Sequence, residues 1–232
     1  MADGVSESRS EAERAIMAGL VRVDGQVVDK AGTPVADSAR VALEGKREHV
    51  GRGALKLEAA FSNFPLSCSG QVCADVGACT GGFTEILLKH GASKVFAIDV
   101  GYGDLDWRIR SDSRVVVMER TNARHLTSLP EPISFVSIDV SFISLTKILP
   151  AVVQWMTPKG TVVALVKPQF EAAKHEVDKG GGVISDPVVR RRCIDEVAAS
   201  LSNHGARVIG EVESGAPGPA GNLEHWLRAV KV

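Results

Sequence analysis

The chain contains no CxxC pair and no cysteine spacing that would hold zinc. Cys68, Cys73, Cys79 and Cys193 stand singly, which excludes a zinc ribbon or a dithiol redox motif and reads as reduced thiols. Neither sign of charge is in excess: the formal net charge is −1, so any nucleic-acid contact must come from a local patch rather than a global basic signature. Long apolar runs are missing too. The longest, Val162–Val166, is far short of the ~20 residues of a spanning helix, which predicts no membrane association. Met1–Arg14 is polar and charged, unlike a signal peptide, and these absences together predict a cytoplasmic protein. No repeat or low-complexity tract occurs. What is present, 44% hydrophobic and 24% charged residues in 232, suits one globular domain with an appendage, or two modest domains.

The text changes character near residue 50. Before it, Ser8 and Glu11 read as a capping box, and Ala12, Ala15, Ile16 and Leu20 share a helical face that Gly19 ends. Val21–Val23 and Gln26–Val28 flank Asp24-Gly25, a pairing that predicts a type I′ hairpin. A third strand is expected around Ala39–Leu43, and Glu44–Glu48 as a linker. From Arg52 onward strands and helices alternate. Strands are predicted at Gln71–Val76, Lys94–Val100, Arg114–Glu119, Phe135–Val140, Thr161–Lys167, Arg207–Glu213 and His225–Val232. The first five are nearly continuous Val, Ile, Ala and Leu, as in parallel strands covered on both faces. Helices are predicted at Gly53–Phe64, Phe83–His90, Ser144–Met156 and Pro187–Asn203. The expected fold is α/β: a doubly wound sheet with ligands at the carboxyl ends of its strands.

Asp75-Val76-Gly77-Ala78-Cys79-Thr80-Gly81-Gly82-Phe83 follows the first of those strands. Glycines there let the backbone approach a ligand and turn into a helix. Asp99, ending the second strand, suits the two hydroxyls of an adenosine ribose. A dinucleotide enzyme would share these features, but its GxGxxG places Gly where Cys79 stands. The acidic start of the loop suits an ammonium and a sulfonium better than phosphates, which points to S-adenosyl-L-methionine. The plain alternative is a glycine-rich turn without a ligand.

The acceptor of the methyl group is narrowed by further absences. No Asn/Asp-Pro-Pro-aromatic follows the fourth strand, where Asp139-Val140-Ser141-Phe142 stands, and no Pro-Cys occurs. Exocyclic amines and pyrimidine C5 are therefore disfavoured. Instead Asp139, Lys167 and Glu224 fall at the ends of predicted buried strands and Lys56 on the helix before the first. Charged residues seldom occupy such places without partners. A hydroxyl must lose its proton as it attacks. A lysine that takes it must first be brought from a pKa near 10.4 towards ~7.5, a differential of roughly 4 kcal/mol; alternatively Lys167 stays charged and steadies the alkoxide. No metal is required for such a transfer.

These residues carry a resemblance. Gly51-Arg52-Gly53-Ala54-Leu55-Lys56-Leu57, the Asp75–Phe83 loop, Asp99-Val100-Gly101-Tyr102-Gly103, Arg120-Thr121-Asn122-Ala123-Arg124, Asp139-Val140-Ser141-Phe142-Ile143-Ser144 and Lys167-Pro168-Gln169-Phe170-Glu171 closely resemble the TlyA family of ribosomal RNA 2′-O-methyltransferases, whose catalytic domain is related to FtsJ. The resemblance covers essentially the whole chain. It implies a seven-stranded, mostly parallel Rossmann-like methyltransferase sheet over 52–232, a linker at 46–51, and a small α+β S4-like RNA-binding unit at 1–45. By motif, the catalytic Lys-Asp-Lys-Glu tetrad of the FtsJ group falls on Lys56, Asp139, Lys167 and Glu224. The implied cofactor-binding set is Asp75, Gly77, Ala78, Thr80, Gly81, Gly82, Phe83, Asp99, Val100, Asn122, Ala123 and Asp139. The implied partner is ribosomal RNA or a ribosomal subunit, with cytidine as the nucleoside.

Ala15-Ile16-Met17-Ala18-Gly19-Leu20-Val21-Arg22-Val23-Asp24-Gly25 carries the S4-like likeness. Arg9, Arg14, Arg22, Lys30, Arg52 and Lys179 are the expected RNA contacts. Residues 1–56 hold nine basic and nine acidic side chains, so binding must come from one face. The family's unit begins with a further stretch of helix that is missing before Val5, so an N-terminally incomplete unit is expected, and Gly51 stands where the family has serine. The polar, glycine-rich stretch from Pro168 to Pro187 is expected to be a loop that closes over the target nucleotide. Phe142 or Phe170 could stack on a flipped base. Two other functions compete: a catalytically idle RNA-binding or ribosome-assembly factor, and a haemolysin, the name that members of this family often bear.

Overall fold

The computed structural model describes residues 9–17, 19–28, 30–43, 49–51, 53–215, 218 and 220–232; the side chains of residues 10, 11, 14 and 17 are outside this set. The Ser8–Glu11 capping box and the 44–48 linker therefore lie outside the described residues. Contacts divide the chain into two units, 1–48 and 49–232.

In the first unit, helix α1 spans Arg9–Met17. Gly19, at φ 64°, ends it: its N–H donates to the Ile16 carbonyl, and that of Leu20 to Ala15, the paired bonds of a Schellman stop. Strands β1 (Val21–Val23), β2 (Gln26–Val28) and β3 (Val41–Leu43) form an antiparallel sheet in the order β2-β1-β3. Asp24 and Gly25 sit at φ 48° and 83°, the left-handed pair that a type I′ turn requires.

The second unit runs α2 (Gly53–Asn63), β4 (Val72–Val76), α3 (Gly82–Lys89), β5 (Lys94–Ile98), α4 (Trp107–Arg110), β6 (Val115–Met118), β7 (Ile133–Ile138), α5 (Leu149–Trp155), β8 (Met156–Val166), α6 (Pro168–Glu171), α7 (Lys174–Lys179), α8 (Pro187–Asn203), β9 (Ala206–Glu213) and β10 (His225–Lys231). Its strands make one seven-stranded sheet, ordered β6-β5-β4-β7-β8-β10-β9. Pairings from β6 to β8 are parallel, and β10 runs antiparallel to both its neighbours. Alternation along β4 explains the two cores. Ala74 and Val76 pack with α5 and α8 on one face; Cys73 packs with α2 and α3 on the other. On α2 the buried residues Ala54, Leu57 and Ala60 recur at helical spacing. Leu57 is fully buried, so truncating it to alanine costs about 2–5 kcal/mol.

Two expectations need correction. The helix expected at Ser144–Met156 is a 3₁₀ turn at Leu145–Lys147 followed by the shorter α5, because β8 already begins at Met156. Met156 pairs with Ile133 ahead of a register shift, and Lys159, at φ 64°, lies in the irregular opening of that strand. The stretch from Pro168 to Pro187 is not one long loop either, since α6 and α7 occupy most of its first half.

Candidate active site

β4 delivers the chain into a loop that only glycine could form. Gly77 sits at φ 88°, and a Cβ there would lie 2.2 Å from the Asp139 carbonyl oxygen; the Asp139 N–H donates to Val76 at 2.9 Å. The ends of β4 and β7 are thus in close backbone contact. Gly81, at φ 93°, stands at the entry of α3. Gly82 meets the start of α2, where a Cβ would lie 2.7 Å from the Ala54 nitrogen. Gly51 faces Thr80 of the loop: a Cβ would meet Thr80 Oγ1 at 2.2 Å, so any larger residue here would require that side chain to rotate.

Asp75, one residue before the end of β4, is fully buried. Thr84 Oγ1 donates to its Oδ2 at 2.7 Å, while Oδ1 has no hydrogen-bond partner. Burial pushes this carboxyl up to about 7, with Asp139 and Asp99 adding to the rise and the Thr84 bond opposing it. Past the end of β5, Asp99 accepts from the Cys79 N–H at 2.8 Å and the Gly101 N–H at 2.7 Å. Beside it a small cleft is lined by Ala78, Cys79, Ala97, Asp104 and Leu105. Asn122 Oδ1 caps a 3₁₀ turn by accepting from Arg124 N–H; Ala123 is buried and Val100 exposed. The Phe83 ring lies in the core, 5.7 Å from Trp226, so only its backbone borders the loop.

The four charged residues assemble as two ion pairs. Lys56 Nζ on α2 lies 2.6 Å from Glu224 Oε2. Lys167, just past β8, pairs with Asp139, just past β7, and also donates to Ser141 Oγ at 3.1 Å. Lys167 and Glu224 are both buried. Because His225 pairs with Val166 across β10 and β8, one further step of that register sets Glu224 opposite Lys167. Both pairs therefore stand at one end of the sheet, where the parallel strands finish. Phe142, at φ 63°, is 92% exposed, and its ring lies 5.1 Å from that of Phe170.

Sequence reasoning did not find several residues that shape this end. Thr84 holds Asp75, and Ser141 holds Lys167. Gly218 leaves room for Glu224, whose Oε1 a Cβ there would meet at 2.6 Å. Asn222, almost fully buried, accepts from Ile184 N–H and donates to the Gly182 carbonyl, both at 2.9 Å, tying the glycine-rich segment to the Glu224 loop. For Thr84 and Ser141 the only sequence signal was a hydroxyl near an acid or a lysine; for Asn222 it was a place two residues before Glu224.

Of the expected RNA contacts, Arg9 is exposed and paired with Glu13 at 2.9 Å, while Arg22 donates to the Gly25 carbonyl at 3.0 Å. Lys30 and Lys179 are exposed; the Arg14 side chain and Arg52 lie outside the described residues. Among the described residues no group of His, Cys, Asp and Glu could hold a metal ion, and no helix is long and apolar enough to cross a membrane.

Comparisons with known proteins match both units of the chain. Residues 49–231 match the FtsJ-like methyltransferase model and residues 3–41 the S4 domain model. The chain is 46% identical to the 16S/23S rRNA (cytidine-2′-O)-methyltransferase TlyA of Mycobacterium tuberculosis, over 97% of this chain and 86% of that one. It is 38% identical to Hemolysin A of Brachyspira hyodysenteriae, over 98% and 96% respectively. The solved structure of a hemolysin-named protein from Streptococcus thermophilus is 40% identical and superposes with a TM-score of 0.78, over 99% of this chain and 85% of that one.

Proposed function

From the premise that this chain belongs to the TlyA family, with an FtsJ-like methyltransferase domain and an S4 domain, we propose that it methylates the 2′-hydroxyl of a cytidine ribose in ribosomal RNA. The observation that carries this is two ion pairs, Lys56–Glu224 and Lys167–Asp139, each with one partner buried and one half-buried, at the carboxyl end of the parallel strands. Such groups suit an acceptor that must shed a proton, and no cysteine nucleophile or amine-binding motif accompanies them.

The residues fit S-adenosyl-L-methionine. The unpartnered Oδ1 of buried Asp75 suits the ammonium. The glycine turn gives backbone access, and Asp99 at its cleft suits the ribose hydroxyls. When bound, the cofactor supplies an electrophilic methyl on a sulfonium. Lys167, held in direction by Asp139 and Ser141, has two roles open to it: after giving up its own proton to solvent it takes the 2′-hydroxyl proton, or as the ammonium it steadies the developing alkoxide. Lys56 and Glu224 stand at the same end of the sheet as an ion pair without net charge. Exposed Phe142 offers its face to the base of the target nucleotide. The S4 unit adds affinity for RNA through Arg9, Arg14, Arg22 and Lys30, with Arg52 and Lys179 adding contacts from the catalytic unit. The domain limits 1–45 and 52–232 follow the same reading, and action on ribosomal subunits implies the cytoplasm.

The test is transfer of labelled methyl from S-adenosyl-L-methionine to ribosomal subunits, followed by digestion to nucleosides. Label in 2′-O-methylcytidine supports the proposal; label in a methylated base overturns the acceptor assignment. Lys167→Arg separates the two roles open to that residue. An arginine keeps the charge but cannot act as a base, so loss of turnover supports proton removal and retained turnover supports alkoxide stabilisation.

A further inference from the structure

The two loops that carry Lys167 and the exposed aromatic ring leave neighbouring strands, and one side chain joins them. Glu171, the last residue of α6, accepts from Ser144 Oγ at 2.5 Å and from the Leu145 N–H at 2.8 Å. Ser144 in turn contacts Thr146 Oγ1 at 2.7 Å, so the carboxylate closes the start of the 3₁₀ turn at Leu145–Lys147. Burial pushes the Glu171 carboxyl up, and the two bonds oppose that rise. Leu145 is buried, and Ser144 and Glu171 are half-buried, so this contact is partly shielded from solvent.

Between Asp139 and Ser144 the chain holds Phe142 in the left-handed region at φ 63°, with the ring 92% exposed. A phenylalanine in that conformation is strained, and persists only where its surroundings over-determine it. The near end of the segment is tied by the Asp139–Val76 backbone bond; the far end is tied by Glu171. α6 is short and begins directly after Lys167. Glu171 therefore couples the Lys167 segment to the Phe142 segment, and the rings on the two sides, Phe142 and Phe170, meet at 5.1 Å.

We infer that Glu171 is a positioning residue that sets Phe142 relative to Lys167, and so governs engagement of the target nucleotide without touching the cofactor. This rests on the proposed ribose methylation. Glu171→Gln preserves one acceptor for Leu145 and one donor towards Ser144, whereas Glu171→Ala removes both.

The experiment combines amide hydrogen exchange with steady-state methylation of ribosomal subunits, in the full chain. Glu171→Ala is expected to speed exchange locally over residues 140–147 and to lower kcat/KM for RNA by about 100-fold, the cost of displacing reacting groups by roughly an ångström. S-adenosyl-L-methionine affinity should stay at the wild-type value, and Glu171→Gln should restore both exchange and turnover. Adding Glu171→Ala to Phe142→Ala should cost much less than it does in wild type, because the residues act in series. Wild-type exchange and turnover in Glu171→Ala would overturn the inference. So would a loss spread over cofactor binding and exchange throughout the domain, which marks a merely structural role. If exchange responds as expected while even the wild type transfers no methyl to ribose, the functional reading falls and the loop coupling stands.

Discussion

Replacing Lys56 by methionine keeps most of the side-chain stem and removes the charge. The Lys56 side chain is 17% exposed and that of Glu224 1% exposed, with 2.6 Å between Nζ and Oε2. Were this a surface pair, its loss would cost about 0–1 kcal/mol. Here the glutamate would stay in the interior without its counter-charge, and breaking a buried pair in that way costs about 3–5 kcal/mol. At about 2–4 °C per kcal/mol for a domain of this size, the melting temperature should fall by about 6–20 °C. Calorimetry of the cofactor-free protein measures this directly. The double variant Lys56→Met/Glu224→Gln removes the stranded charge and should recover most of the loss, giving a coupling of about 0.5–3 kcal/mol in a double-mutant cycle. A single-variant loss below about 1 kcal/mol, or a double variant no more stable than the single one, would refute the reasoning.

Three further outcomes follow from the site. Asp75, with its carboxyl raised to about 7 by burial, contributes stability that is fully present below its unfolded value near 4 and lost as pH rises through 7. Asp75→Asn should therefore raise the melting temperature of the cofactor-free protein at pH 8 but not at pH 4, while weakening S-adenosyl-L-methionine binding in a calorimetric titration; unchanged stability at pH 8 would contradict the assigned burial cost. Gly77→Ala places a methyl 2.2 Å from a backbone oxygen at a positive φ, so cofactor binding measured in the same way should be lost; wild-type affinity would show that the β4 and β7 ends are not packed as described. Phe142→Ala removes a ring that is 92% exposed, so stability should change by no more than about 0.5 kcal/mol. The KM for RNA should rise by roughly tenfold, as expected for a lost base stack of about 1–3 kcal/mol; an unchanged KM would remove Phe142 from the substrate face.

The α/β architecture was legible because apolar runs such as Val95–Ile98 and Val162–Val166 are buried on both faces and tolerate little else. Lys56, Asp139, Lys167 and Glu224 stood out because a charge beside a buried strand end needs a partner. Which charge partners which was not readable: the Lys56–Glu224 contact spans 168 positions and depends on β10 folding back beside β8. Ser141, Thr84, Asn222 and Glu171 each act through one or two side-chain hydrogen bonds, and a polar side chain looks the same in the sequence whether it faces solvent or a buried partner. The early start of β8 was missed because Thr157-Pro158-Lys159-Gly160 reads as a break, yet the strand accommodates these residues with a register shift. The Pro168–Pro187 stretch looked like a free loop because its short helices expose polar faces; Asn222 and the Arg192–Glu176 pair hold it down.

In the proposed reaction the Lys167–Asp139 end of the sheet drives methylation of a ribose hydroxyl. Its most direct test is alkaline cleavage of ribosomal RNA from subunits incubated with S-adenosyl-L-methionine and either the wild type or Lys167→Ala. One position should resist cleavage after treatment with the wild type and be cleaved after treatment with the variant. Resistance formed equally by both proteins, or label transferred without any resistant position, would contradict it.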